Sequence, residues 1–215
     1  MQRALAGKVA WVQGASRGVG RAVAVRLGAE GARVLVSARG ERALGETVGE
    51  IAFQGGRACH LVADARDPSA CEAAARHALA TLGGLDLVVT CAGVSSSAPL
   101  LDPTVDALGA GVAGALHAFR AAAPLLPRGG RLIAVASSRA RADAATSGVG
   151  ALVVGATSAL VRALALELAP RGVTVHGVAG RCDDAADPDD LARAVALLAG
   201  PAGDLFAAQV LSVGP

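Results

Sequence analysis

Tyrosine is absent from this chain, and lysine occurs once, at Lys8. No phenol can therefore act as an acid or base anywhere in the molecule, and a side-chain ammonium exists only near its start. Aromatic residues make up 2% of the sequence. That scarcity excludes stacking platforms for nucleic-acid bases and an aromatic-lined pocket, and it leaves the core to Val, Leu, Ile and Ala. Charge is balanced: 20 basic against 18 acidic residues give a formal net charge of +2, with no basic run or stripe. Neither nucleic acid nor an anionic membrane is an expected partner.

Cysteines stand at 59, 71, 91 and 182, in neither CxxC nor zinc-type spacing with the four histidines. No metal site and no disulfide framework are expected. Reduced thiols fit a cytoplasmic location, and Cys59 and Cys71 are expected as small buried side chains. The segment from Met1 to Gly7 lacks the apolar run of a signal peptide. The uncharged stretch from Ala144 to Val161 is long enough to raise a membrane question. Thr146, Ser147, Thr157, Ser158 and several glycines interrupt it, so it is expected to be an active-site loop running into a buried helix, with no transmembrane segment.

Short apolar runs alternate with alanine-rich amphipathic stretches, the pattern of a parallel sheet covered on both faces. Strands are expected near 8–13, 33–37, 57–62, 85–90, 130–136, 173–178 and 209–213. Helices are expected near 18–29, 40–54, 68–82, 103–123, 149–169 and 188–199. Gly31, Gly55-Gly56 and Gly83-Gly84 mark helix ends. Asp67-Pro68 and Asp187-Pro188 each put a capping carboxylate before a proline at the first helical position. At 215 residues, without linker or repeat, residues 1–215 are expected to form one domain.

Val9-Ala10-Trp11-Val12-Gln13 is followed by Gly14-Ala15-Ser16-Arg17-Gly18-Val19-Gly20, a strand, a glycine-rich turn and a helix start. Glycine allows the tight turn and close approach of a pyrophosphate, whose charge the helix N-terminus favours. After the second strand, Ala38 stands where an NAD-preferring site would place a carboxylate, and Arg39 follows it. Arg17 and Arg39 together suit the extra phosphate of NADP(H).

These residues, with Cys91-Ala92-Gly93, resemble the short-chain dehydrogenase/reductase family. The resemblance runs from Lys8 to Val213 and implies a Rossmann-type doubly wound α/β fold with strand order 3-2-1-4-5-6-7. It implies an NADP(H) site at Gly14, Ser16, Arg17, Gly18, Val19, Gly20, Arg39, Asp64, Ala92 and Gly93, intact or vestigial. Asp64 matches the aspartate that hydrogen-bonds the adenine amino group, and Cys91 stands where the family has asparagine.

The catalytic half departs from the pattern. Gly130 to Ser138 resembles the family's fifth strand and places the catalytic serine on Ser137. Counting back from Glu167 puts the tyrosine position on Gly150 and the lysine position on Val154. The helix-four asparagine position falls on Gly111. Of the family's four catalytic residues the serine alone remains, and glycine and valine can neither donate a proton nor hold a ribose. After Val173–Arg181 the last helix begins almost at once, so no substrate lid is expected. Arg139, Arg141 and Asp143 lie beside Ser137 and could polarise a carboxylate or enolate. His117 lies six residues beyond Gly111, about 240° around the helix, and His60, His77, His117 and His176 are all read as structural.

Three functions follow from this pattern. The first is a regulatory or structural pseudoenzyme that binds NADP(H), as a homo-oligomer or paired with an active relative through helices 103–123 and 149–169. The second is a non-redox catalyst (cyclase, dehydratase, isomerase or lyase) on the same scaffold. The third is an atypical NADPH-dependent reductase with a solvent-derived proton relayed through Ser137.

Overall fold

A computed structural model of the chain describes residues 3–91, 109–138, 148–181, 188–206 and 208–213. Its strands are β1 (Val9–Gln13), β2 (Arg33–Ala38), β3 (Arg57–Val62), β4 (Leu87–Thr90), β5 (Arg131–Ser138), β6 (Thr174–Arg181) and β7 (Val210–Val213). They pair in parallel in the order β3-β2-β1-β4-β5-β6-β7, as expected. The helices are α1 (Gly18–Ala29), α2 (Glu41–Phe53), α3 (Pro68–Leu82), α4 (Gly114–Ala122), α5 (Gly148–Leu168) and α6 (Pro188–Ala199).

Side-chain alternation along each strand divides the core between the two faces of the sheet. Ala10 and Val12 of β1 face one cluster with Val23, Leu27, Leu44, Ile51 and Leu191, from α1, α2 and α6. Trp11 faces the other, with Phe119, Cys71 and Val161 from α3, α4 and α5. With so few rings available, the one tryptophan is fully buried, and its indole N–H donates to the Ser37 hydroxyl at 2.8 Å.

The punctuation signals hold. Gly31, Gly55 and Gly83 adopt φ of 97°, 77° and 77° just past their helices, which a side chain would resist. The Asp67 carboxylate accepts the Ser69 amide at 2.8 Å and caps α3. Asp187 lies outside the described residues.

Several boundaries differ from the sequence expectation. β6 runs to Arg181 rather than ending near 178, because its ladder with β5 continues through Ser138 and Arg181. The expected 103–123 helix is described only from Gly109, where Gly109–Ala113 form a π-turn before α4. Pro124 and Pro170 tighten the ends of α4 and α5 into short 3-10 turns, since proline cannot continue the helical hydrogen bonds. Cys59 is only half-buried because β3 is an edge strand, whereas Cys71 is buried as expected. Between Arg181 and α6 lie only residues 182–187, outside the described residues, so the expected absence of a lid rests on that short connection.

The stretch expected to be a buried helix is buried on one side only. Val153, Thr157, Val161 and Leu168 of α5 pack inward, while Leu152 and Leu166 are 40% and 79% exposed. By length and composition Gly150–Arg171 could cross a membrane, yet α5 lies along β5 and β6.

His176 on β6 is fully buried, and neither ring nitrogen has a hydrogen-bond partner among the described residues. Burial, aided by the nearby Arg131 guanidinium, lowers its pKa below 6.5 against weaker opposing effects of the Phe206 backbone and Asp204. Neutral His176 therefore contributes full stability above the unfolded value of 6.5 and loses it as pH falls toward the folded pKa. Urea unfolding should show a falling midpoint from about pH 7.5 to about pH 5.5, and His176→Asn should flatten that fall. An equally steep fall in the variant would remove His176 as its cause.

Candidate functional site

Because every strand is parallel, the carboxyl ends share one edge of the sheet, where folds of this kind place ligands. The glycine-rich turn leaves β1 at that edge with φ of 82° at Gly14 and 55° at Gly18. The Ser37 carbonyl at the end of β2 accepts the amides of Gly14 (2.8 Å) and Ala15 (3.3 Å). A Cβ at Gly20 would run into the Gly14 carbonyl oxygen, so this glycine is required by close packing of turn against helix.

Helix α1 starts at Gly18 with Arg17 as its extended N-cap, no side-chain cap and no acidic residue in its first turn. The amides there, with no side-chain carboxylate to cap them, form an electropositive terminus suited to an anion. Val19 is buried, Ser16 is half-buried, and Arg17 and Arg39 are exposed at the same edge.

Asp64 follows β3, where the Ala63 amide bonds the Ala38 carbonyl at 3.0 Å. Its carboxylate is already gripped by Arg66. Oδ1 accepts the backbone amide at 2.9 Å and Nε at 3.1 Å, and Oδ2 accepts Nη2 at 2.7 Å. Those hydrogen bonds, with a weaker pull from Arg39, hold the Asp64 carboxyl at about 2. Beneath this loop the Ala65 carbonyl is met by His117 Nδ1 at 3.2 Å and by the Cys71 thiol at 3.7 Å. Burial pushes that thiol up to about 11, which makes it unreactive. The Cys91 amide bonds the Gln13 carbonyl at 2.8 Å, and Ala92 and Gly93 lie outside the described residues.

In the other half, Ser137 is the penultimate residue of β5, opposite Gly180 of β6. Gly111 is buried in the π-turn, which packs against α5. Gly150 lies in the first turn of α5, and Val154, one turn on, is half-buried, its carbonyl accepting the Ser158 hydroxyl at 2.8 Å. The elements bearing these four positions thus adjoin at the carboxyl edge. Arg139, Arg141 and Asp143 lie outside the described residues. Lys8 is elsewhere: it precedes β1 and pairs with Asp86, just before β4, at 3.2 Å. The five residues of β1, about 16 Å at 3.3 Å each, separate it from the glycine turn.

Three supports escaped the sequence reading. Ser37 and Thr47 are buried hydroxyls, and Arg66 holds Asp64. Thr47 did leave a signal, as a polar residue on the stripe Leu44, Thr47, Ile51 at helical spacing.

A doubly wound parallel sheet with a glycine turn feeding an uncapped helix defines the Rossmann class. Within that class the chain belongs to the short chain dehydrogenase family, whose description matches residues 8–184. It is 37% identical over 177 residues to the short-chain reductase protein NovJ of Streptomyces niveus, covering 80% of this chain and 67% of that one. It is 36% identical over 185 residues to versicolorin reductase stcU of Emericella nidulans, covering 81% and 69%. Among solved structures, a dehydrogenase/reductase from Sinorhizobium meliloti superposes with a TM-score of 0.90 at 34% identity, covering 99% of this chain and 95% of that one. A short chain dehydrogenase from Burkholderia cenocepacia in complex with NADP superposes at 0.86 and 31% identity, covering 98% and 97%.

The packing of the turn gives a direct test. Gly20→Ala should cost about 2 kcal/mol through overpacking, lowering the thermal midpoint by roughly 4–8 °C. Calorimetry showing no fall would mean that the turn has slack.

Proposed function

We propose that this chain binds NADP(H) and serves as a regulatory or structural member of its family, without the tyrosine–lysine redox mechanism. The observation that carries this reading is the position of Lys8. The chain's one ammonium side chain is paired with Asp86 at the amino edge, and the helix positions that would need tyrosine and lysine carry Gly150 and Val154. Proton donation to a forming alkoxide then has no phenol to supply it.

The residues present fit the dinucleotide. The α1 terminus and Gly14, Ser16, Gly18, Val19 and Gly20 would hold the pyrophosphate. Arg17 and Arg39 would take the 2′-phosphate, Asp64 would accept from the adenine amino group, and Ala92-Gly93 would pass beside the ribose. Bound there, the cofactor would supply a hydride, which Ser137 alone, an alcohol of high pKa, is poorly equipped to match with a proton.

The exposed apolar side of α5, including Leu152 and Leu166, supports assembly through α4 and α5 with a second copy or with a complete family member. A second reading, an atypical NADPH-dependent reductase, is favoured by the names of the relatives, several of which are reductases.

Calorimetric titration should give micromolar binding of NADPH, weaker binding of NADH, and loss of the preference in Arg39→Ala. NADPH should not be consumed with a panel of ketones. Consumption that Ser137→Ala abolishes would favour the reductase instead, and no binding at millimolar cofactor would end both readings. Light scattering should give an oligomer that Leu166→Glu weakens, and a wild-type monomer at every concentration would remove the self-assembly reading.

A further inference from the structure

The two arginines assigned to the 2′-phosphate sit on different helices' margins. Arg17 is the N-cap of α1, and Arg39 precedes Gly40, the N-cap of α2. Converging on one phosphate requires that the glycine turn and α2 keep a fixed separation. Neither arginine can enforce this, since both are exposed and long, with considerable rotamer freedom.

The Ser37 carbonyl ties the turn to the end of β2, and a buried hydroxyl ties it to α2. Thr47 of α2 is fully buried, and its Oγ1 lies 3.0 Å from the Ala15 carbonyl in the glycine turn and 3.0 Å from the Ala43 carbonyl one turn back in α2. A hydroxyl has one proton for these two acceptors. The Ala43 carbonyl also faces the Thr47 backbone amide in the regular i to i−4 pattern of the helix. Removing the hydroxyl would therefore leave the helix its own bond and take from Ala15 the donor that ties the turn to α2. Further along, Arg21 Nε of α1 meets Glu50 of α2 at 2.7 Å, and Ile51 of α2 lies directly over Gly28. Both contacts fix α1 against α2 beyond the turn, and among the described residues of α2 Thr47 is the one with a hydrogen bond to the turn itself.

We infer that Thr47 is a positioning residue for cofactor discrimination: by bolting the Ala15 carbonyl to α2, it holds Arg17 and Arg39 at the spacing that one 2′-phosphate requires. The inference rests on the NADP(H) reading above. It acts through backbone geometry, so Thr47 touches neither cofactor nor substrate.

The test is calorimetric titration of wild type, Thr47→Val and Thr47→Ser with NADPH and NADH, alongside thermal melts. Valine keeps the shape and removes the donor, and serine restores the donor. Thr47→Val should weaken NADPH binding about fivefold, the fold-change of one lost hydrogen bond, and should weaken NADH binding less, so that the preference narrows. Thr47→Ser should keep the preference of the wild type. If Thr47→Val does not fold, Thr47→Ala carries the same comparison. A lower melting temperature with an unchanged NADPH-to-NADH ratio would make Thr47 merely structural and overturn the inference alone. Wild type binding neither cofactor would overturn the cofactor reading and this inference with it.

Discussion

The Ser37 carbonyl, at the end of β2, accepts two successive amides from the turn that leaves β1. This pair of hydrogen bonds decides where the chain goes after its first strand. It extends the β1–β2 pairing by one step beyond the ladder, shortly before α1 starts at Gly18. The Ser37 hydroxyl meanwhile accepts a hydrogen bond from the Trp11 indole N–H, so the same residue ties the turn to the largest side chain of the core. A buried tryptophan without that acceptor would carry an unpaired donor, at a cost of about 1–3 kcal/mol.

From that anchor the helices are placed on the sheet by close packing more than by specific polar recognition. Gly20 sits against the Gly14 carbonyl, Gly28 and Gly56 sit against Ile51, and Gly114 sits against Ala65. In a chain short of aromatic rings, tight backbone approach fills space that large side chains would otherwise occupy. The polar contacts added on top are few, and they fall where loops need holding: Thr47 on the turn, Arg66 on Asp64, His117 on Ala65.

The two halves of the carboxyl edge share one architecture and carry different chemistry. The glycine-turn half retains an uncapped helix terminus and exposed arginines, features with a clear electrostatic use. The half around β5 and α5 retains the strand pairing that delivers Ser137, and α5 still packs on β5 and β6. A helix can keep its place on a sheet through Val153, Thr157 and Val161 whatever its first turns carry. Packing constrains one face of α5, and Gly150 and Val154 are not among the residues buried there.

The order of elements, the glycine-marked helix ends and the missing phenol were determined by the sequence, because periodicity, glycine placement and composition are local properties, while the strand order was implied by the family resemblance. The carbonyl that Thr47 reaches lies 32 residues away in sequence, and the partner that holds Lys8 at the amino edge lies 78 away. No local pattern encodes such distances. Likewise, the apolar run of α5 fixed a helix but not which residues the sheet would cover. That His176 is sealed without a hydrogen-bond partner among the described residues was decided only when the strands closed into one sheet and brought the third dimension to bear.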